Sequence, residues 1–313
     1  MKLTPEERAA RNAFQAALRQ NLRQRAQLIL GVQASALQQL QGLAGAIAVL
    51  LAEQPTDWRQ WQLTTIQAQV QALIDGLQGT LTSAVDQALV DAWATGVASV
   101  DAPLAAADVN VQIFLPQMDA TVLTALRSFT AGRIKDLAAG ADAAIDQAIH
   151  LAVLGAQTPG ETMKAVQAAL GAKDAPTLAR ARKIVVTSMG EAYAVASQQR
   201  LVAAAERVPG MQKQWRRSGK IHSRWSHDAM DGKVVDADKP FLVPTKGLGV
   251  FVKMMHPHDP KAPASEIINC GCIARPWLNR WGLPPGGTPF SDREVALNPM
   301  KAAGKGWLAG RGA

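Results

Sequence analysis

Apolar residues recur at spacings of three and four along most of the first 208 residues, which is the pattern of amphipathic helices. The motif TPEE at residues 4–7 predicts the start of the first helix, because Thr can cap it, Pro tolerates the first helical position and Glu can close a capping box. Phe14, Leu18 and Leu22 then share one face. From about 58 to 95 a Gln-rich, heptad-like pattern predicts a second long helix, typical of helices that pack in a bundle.

The helical pattern breaks at two places before residue 208. Residues 96–116 predict a loop with one short extended piece at 109–115. The motif TPGE at residues 158–161 repeats the capping box and opens a short helix, which we expect to end at Gly171 in a left-handed cap. Further helices are predicted at 119–155 and from 176 to about 207.

Beyond Pro209 the pattern changes to short β-type runs separated by Gly, Pro, Asp and His. Three runs, at 233–235, 241–243 and 250–252, predict strands, with turns at Asp231-Gly232 and Lys246-Gly247. The predicted fold class is therefore a mainly α N-terminal region of long, bundled helices, followed by a small α+β C-terminal domain with short antiparallel strands.

These breaks divide the chain into four predicted segments. Residues 1–118 form an N-terminal helical region suited to docking a partner, and residues 119–208 form a second helical part. Residues 209–282 form the small α+β core with the His and Cys motifs, and residues 283–313 form a basic tail rich in Gly and Pro.

The positive charge of the chain is concentrated in its last third. The formal net charge is +8, yet residues 1–199 carry 15 Lys and Arg against 16 Asp and Glu, whereas residues 200–313 carry 18 against 9. This asymmetry favours an anionic partner for the C-terminal part, nucleic acid before membrane. A basic surface that serves only solubility is the alternative.

Cysteine usage and hydropathy bear on the compartment. Cys270 and Cys272 are separated by one residue, and cysteines at this spacing rarely form a disulfide bond with each other. Two thiols also cannot build a disulfide framework, so a reducing compartment fits. The N-terminus lacks the apolar core of a signal peptide, and the apolar run at 42–52 is too short to span a bilayer. We expect a soluble protein with no membrane partner in its resting state.

Several groups in the C-terminal domain could carry chemistry. His222 and His227, with Cys270 and Cys272 some forty residues later, could supply four ligands to a tetrahedral zinc ion, although the spacing does not match a standard zinc finger. A structural zinc ion is therefore a candidate, and no cofactor is certain. In the alternative, the thiols are small buried hydrophobes and the histidines bond to loop backbone. A further group is the motif HPHD at 256–259.

The order of these groups along the chain carries a family resemblance. The run WRRSGKIHSRWSHDAMDGKVV at 215–235 resembles the hallmark of the phage Mu F-like head morphogenesis family, in which a Trp leads to Arg-x-x-His, followed by Gly and Val. A Phe, an Asp-Pro and an Asn-Cys-x-Cys come later in that family. The matching positions here are Trp215, Arg224, His227, Gly232, Phe241, Asp259, Pro260, Asn269, Cys270 and Cys272.

The resemblance covers roughly residues 120–278. It is weaker in the helix at 181–193, where Val186 stands in the place of the usual Arg and Glu191 is displaced. Gly271 replaces the commoner Arg between the cysteines, so a phosphate contact made by that Arg is absent here.

The resemblance implies a structural role. Members of the family are minor capsid, or minor head, proteins that lie inside the procapsid on or near the portal, assist assembly, and in some phages bind DNA or leave with it. We therefore expect a virion protein inside the phage head near the portal, made in the host cytoplasm, and no enzyme activity. The expected partners are the portal protein, the major capsid or scaffold protein, and packaged double-stranded DNA. The motif residues would hold the fold of the small domain.

Charge and aromatic residues suggest how DNA could be bound. Trp215 and Trp225 could stack on bases, although Trp215 is more typical of a core anchor. Candidate phosphate contacts are Lys213, Arg216, Arg217, Lys220 and Arg224.

Two alternative functions remain open at this point. In a metal-dependent nuclease or hydrolase, His227 and Asp228 would activate water and Asp231 would be a ligand. The other alternative is a DNA-binding accessory protein that is not part of a virion.

Overall fold

A computed structural model describes residues 3–53, 60–109, 120–154, 156–171, 175–245, 250–278 and 287–301. Of the described residues 69% are helical, with long N-terminal helices followed by short antiparallel strands, so the predicted fold class is confirmed. The helices that precede the strands are α1 (Pro5–Ala52), α2 (Gln60–Ala106), α3 (Thr121–Val153), α4 (Pro159–Leu170) and α5 (Pro176–Ala205).

The strands and short helices that follow make two small antiparallel sheets. One sheet has the strand order β2-β1-β5 and the other pairs β3 with β4. The elements are β1 (Met211–Arg216), α6 (Trp225–Asp228), β2 (Val234–Asp236), β3 (Phe241–Pro244), β4 (Phe251–Met254), α7 (Ala264–Ile267), β5 (Ile273–Leu278) and α8 (Asp292–Leu297).

Both predicted capping boxes are present. The Thr4 hydroxyl accepts from the Glu7 N–H at 3.1 Å, and the Thr4 N–H donates to the Glu7 carboxylate at 2.8 Å. Thr158 and Glu161 make the same reciprocal pair at the start of α4. The left-handed cap expected at Gly171 is wrong: its φ is −105°, and its N–H donates to the Gln167 carbonyl at 2.8 Å, which continues the helical pattern.

The loop predicted from residue 96 is also wrong, because α2 continues to Ala106 with Pro103 inside it. Val100 and Leu104 keep the helical spacing and are fully buried, so packing outweighs the cost of the proline. Gly96 is a point of close approach, since an added Cβ would collide with the Tyr193 carbonyl of α5. The extended piece predicted at 109–115 lies, after its first residue, outside the described residues.

The three predicted strands are found as β2, β3 and β4, whereas the sequence pattern missed β1 and β5. In β1, Lys213 and Gln214 are both buried, so apolar and polar residues do not alternate. In β5, Pro276 lies opposite Lys213. Among the described residues β5 pairs with β1 alone, an edge position where a proline is tolerated. The turn at Asp231-Gly232 is confirmed, with φ 80° at Gly232; the one at Lys246-Gly247 lies outside the described residues.

The chain divides into two compact units, each discontinuous in sequence, unlike the four continuous segments predicted. Unit 1 comprises Met1–Ala26, Val90–Leu123 and Met189–Ala313, and unit 2 comprises Gln27–Leu89 and Thr124–Ser188. Unit 2 is helical, and α3 buries Leu126, Ile134, Leu137, Ala141 and Ile145 at helical spacing. In unit 1 one core joins Phe14 and Leu18 to residues of α2, α5, β1 and β5.

Helix α1 is apolar enough to be tested against the membrane criterion. An 18-residue window within it has a mean hydropathy of 1.4, so by length and composition alone it could cross a membrane, although the uninterrupted run at 42–52 is shorter. Core helices of soluble proteins pass the same test, and Leu40, Ile47 and Leu51 of α1 are buried.

The C-terminal segment, predicted as a tail, packs on the small domain over residues 287–301. Glu294 of α8 is buried and pairs with Arg217 at 2.5 Å and with Lys301 at 2.7 Å. Its pKa is lowered, because hydrogen bonds from Arg217, Lys301 and Ser291 outweigh the opposing effect of burial. Asn298 donates to the Ile221 carbonyl at 2.8 Å. The small domain therefore includes this segment.

Candidate metal centre

Three of the residues predicted as metal ligands converge in unit 1. His227 lies on α6, and Cys270 and Cys272 lie on the loop between α7 and β5. Their ligand atoms are all within 4.8 Å of one another, and all three residues are buried. The Nδ1 atom of His227 is 3.4 Å from Sγ of Cys270 and 3.6 Å from Sγ of Cys272.

These separations suit a tetrahedral zinc ion. With Zn–S near 2.3 Å and Zn–N near 2.05 Å, tetrahedral geometry places sulfur and nitrogen ligands about 3.6 Å apart. The two measured distances bracket that value, and both cysteines are free thiols. The donor set and the two nitrogen–sulfur distances therefore fit zinc.

The backbone around the cysteines brings both thiols to the same side. Asn269 has φ 55°, a left-handed conformation that Asn adopts more easily than most residues. The Cys270 N–H donates to the Ile267 carbonyl at 3.1 Å, and the Cys272 N–H points at the Cys270 sulfur at 3.4 Å. Asn269 thus provides the tight turn that lets two cysteines, one residue apart, face one imidazole.

The outer nitrogen of His227 has its own partner. Its Nε2 lies 2.9 Å from a carboxylate oxygen of Glu266 on α7. A carboxylate on the second nitrogen fixes the ring orientation and leaves Nδ1 available as a ligand, as is usual for metal-bound histidines. Glu266 was not identified from the sequence.

Trp215 forms a wall of the site. It is fully buried and meets His227 edge to face at 5.3 Å and Phe241 at 5.2 Å between ring centroids. Trp215 is therefore a core anchor in this structure and cannot stack on a base. Trp225, by contrast, is half exposed.

The thiols lie in a polarised environment. The pKa of Cys270 is lowered well below its usual value, first because Cys272 hydrogen-bonds to it, with further contributions from His258 and His227. The pKa of Lys220 is lowered by burial, although the nearby thiols act in the opposite direction. One thiolate is thus favoured at the site, and a thiolate is the form that binds metal.

A pocket of roughly 230 Å³ opens beside the three ligands. Lys220, His222 and Arg224 line it together with the cysteine loop. Lys220 donates to the Asn269 carbonyl at 2.7 Å, and Arg224 donates to the Ile268 carbonyl at 2.7 Å. His222 is exposed and does not belong to the ligand group, so its assignment as a metal ligand is not supported.

Two of the predicted phosphate contacts are buried. Lys213 has no exposed surface, and its Nζ donates to the Met255 carbonyl at 2.7 Å and to Gln198 at 3.0 Å. The Arg217 side chain is 5% exposed and pairs with Glu294. Neither can reach a DNA phosphate in this structure, and both assignments are corrected. Arg216 is partly exposed and lies 3.4 Å from Asp231.

The acidic residues suggested for a nuclease lie in other contacts. Asp228 accepts from the Ser223 hydroxyl at 2.6 Å and lies 3.6 Å from the Lys301 ammonium. Asp231 accepts from the Arg217 N–H at 2.9 Å and from the Thr288 N–H at 2.5 Å. Neither belongs to the group of three ligands.

The two histidines of the HPHD motif differ in their surroundings. His256 is buried with Nδ1 2.9 Å from the Pro257 carbonyl, and burial lowers its pKa to about 4. His258 is fully buried, and neither of its ring nitrogens has a partner at normal hydrogen-bond geometry. The sequence singled out this motif without assigning it to the metal.

Comparison of the chain with protein-family models, with curated proteins and with solved structures finds no match.

The burial of Lys213 predicts a dependence of stability on pH. Burial lowers the pKa of Lys213 to about 8 from 10.5, so between these values the unfolded chain holds a proton that the folded chain has released. The free energy of unfolding should therefore rise with pH in this window, by up to roughly 3 kcal/mol, relative to Lys213→Met. Denaturant unfolding of both proteins from pH 7 to 10.5 measures the difference; parallel curves would contradict the prediction.

Proposed function

We propose that this protein is a minor head protein of a tailed bacteriophage, associated with the portal and assisting head morphogenesis. The observation that carries the proposal is the convergence of the motif residues, which are spread from residue 215 to residue 272. Trp215, His227, Cys270 and Cys272 meet at one centre, and Arg224 bonds to the carbonyl that precedes Asn269. Such convergence is expected if the motif of the resembled family encodes one folded unit.

A structural zinc ion bound by His227, Cys270 and Cys272 is part of the proposal. When bound, the ion would cross-link α6 to the cysteine loop and stabilise a domain whose sheets have few strands. The ligand spacing and the Glu266 carboxylate on the outer nitrogen of His227 support it.

A structural role is favoured over hydrolysis. A nuclease of the kind considered would need Asp228 or Asp231 at the metal, and neither belongs to the group of three ligands. Asp231 accepts from two backbone N–H groups, and Oδ2 of Asp228 accepts from the Ser223 hydroxyl and lies 3.6 Å from the Lys301 ammonium. Glu266 contacts the outer nitrogen of His227 and would position that ring.

Among the predicted phosphate contacts, those that are not buried are the candidates for binding DNA. Lys220 and Arg224 line the open pocket, and Trp225 next to them is half exposed. An ammonium, a guanidinium and an exposed indole are the groups that bind the backbone and bases of nucleic acid. We therefore propose this surface, with partly exposed Arg216 as a further candidate, as the contact with packaged DNA.

The helical region is proposed as the docking surface for the portal and for the major capsid or scaffold protein. Within the N-terminal region at 1–118, helix α1 exposes the large apolar side chains of Leu30 and Val49. Exposed apolar surface of this kind is available for protein contacts.

The proposed role is tested by finding where the protein resides in an infection. Quantitative mass spectrometry of purified virions and procapsids should detect a few to a few tens of copies per particle, and portal rings isolated from procapsids should retain the protein. Its absence from both kinds of particle would overturn the structural role. A metal-dependent DNA cleavage assay with His227→Ala would then test the hydrolase alternative.

Removal of a ligand should release the metal and weaken the fold. Cys270→Ser is expected to lower both the zinc content of the purified chain and its thermal unfolding temperature, because serine is a poor zinc ligand and the cross-link is lost. Elemental analysis and calorimetry measure the two quantities. Unchanged values for both would remove zinc from the proposal.

The proposed DNA surface predicts a change in salt dependence. Lys220→Ala with Arg224→Ala should weaken binding to duplex DNA and reduce the slope of log K against log salt by about 1 for each lost phosphate contact. Lys239→Ala with Lys253→Ala removes the same charge at exposed positions that do not line the pocket and serves as the control. Fluorescence anisotropy over a salt series measures both; equal losses would reject the surface, and zinc content confirms that the site is intact.

A further inference from the structure

The three convergent ligands leave one position of a tetrahedron to be filled. Structural zinc sites in proteins are closed by four protein ligands, whereas catalytic sites keep the fourth position for water or substrate. The identity of the fourth ligand therefore decides what the centre can do. His222, which the sequence suggested, is exposed and outside the ligand group.

His258 is an unexplained polar side chain in the same unit. It has no exposed surface, and neither ring nitrogen has a partner at normal hydrogen-bond geometry. Burying such a group without a partner costs free energy, and native proteins rarely tolerate it. Its backbone φ is 65°, an uncommon conformation for a residue other than Gly. An imidazole held in this way is available to coordinate a metal ion.

The surroundings of His258 direct it toward the cysteines. The imidazole lies within interaction distance of the Cys270 thiol, with which it makes a side-chain hydrogen bond of loose geometry and a charge interaction. On another side the ring packs against Gly190 of α5, where an added Cβ would collide with it. At least one of the three ligand atoms lies more than 4.8 Å from the His258 nitrogens, because His258 is not within the mutual 4.8 Å group. Metal binding would therefore require the His258 side chain to move toward the other three ligands.

We propose that His258 is the fourth ligand, so that His227, His258, Cys270 and Cys272 form a closed zinc site with two nitrogen and two sulfur donors. This inference rests on the zinc site of the proposed function and completes it. The ion would join three separate parts of the chain: α6, the turn after β4 and the cysteine loop. With the fourth position taken by His258, no water is held for chemistry, and the centre is structural.

The neighbouring histidine, His256, is not the ligand. Its Nδ1 already contacts the Pro257 carbonyl at 2.9 Å, whereas His258 has no such partner. Both are buried in the same turn, so His256 also provides a matched control for damage to that turn.

The test measures zinc affinity and coordination in the full-length chain. Zinc affinity is obtained by competition with a chromophoric chelator, and X-ray absorption spectroscopy counts the sulfur and nitrogen donors. The variants are His258→Phe, His258→Cys and Cys270→Ser, with His222→Ala and His256→Gln as controls.

We expect one zinc per chain with two sulfur and two nitrogen donors. His258→Phe should lose more than the roughly 10- to 100-fold in affinity that removal of a second-shell partner costs. His258→Cys should retain zinc with three sulfur donors and one nitrogen, which keeps the test decisive if the Phe variant does not fold. His222→Ala and His256→Gln should bind as the parent chain does.

Opposite results overturn the inference in distinguishable ways. Parent-like affinity in His258→Phe, two sulfur donors in His258→Cys, or a full loss in His222→Ala would each reject His258 as the ligand. If Cys270→Ser loses zinc while His258→Phe keeps it, only this inference fails and the three-ligand site stands. If the parent chain binds no zinc, the metal is rejected altogether, whereas the virion measurement still decides the role in the phage head.

Discussion

The imidazole of His227 is contacted from three directions by parts of the chain that are distant in sequence. Its Nδ1 faces the two cysteine sulfurs, its Nε2 meets the Glu266 carboxylate, and its edge-to-face partner is Trp215. The His227 ring is therefore the point at which β1, α6, α7 and the cysteine loop meet. In a domain with a three-stranded and a two-stranded sheet, such a shared contact supplies order that the hydrogen-bonded ladders alone would not.

The buried charges of the same domain change the meaning of its basic composition. Arg217 and Lys301 share the Glu294 carboxylate, and Asp228 lies within 4 Å of both cations. These cations neutralise carboxylates inside the domain, and Lys213 is buried as well. A prediction of a basic surface from net charge assumes that such residues are exposed. The basic groups left at the pocket are few, so any DNA contact there is local and does not extend over the whole domain.

The sequence predicted the parts of the structure that depend on local rules. The capping boxes, the long helices, three strands and the convergence of His227 with the cysteines follow from spacing and residue type. β1 was missed because buried Lys213 and Gln214 remove the alternation that marks a strand, and β5 was missed because it contains Pro276. The loop at residue 96 was wrong because tertiary packing overrode Gly and Pro. Glu266 and His258 could not be assigned, since their roles depend on three-dimensional neighbours and not on spacing.

The pairing of Arg217 with Glu294 spans 77 positions of the chain, and this has a consequence for the order of folding during synthesis. Translation proceeds from the N-terminus, so His227, Cys270 and Cys272 leave the ribosome before α8 does. The nascent chain can therefore bring these three side chains together before the Glu294 carboxylate that pairs with Arg217 has been synthesised. A chain that ends before α8 would lack the Glu294 carboxylate, and of its described carboxylate partners the Arg217 guanidinium would then retain only Asp228 at 3.9 Å and Asp231 at 3.7 Å.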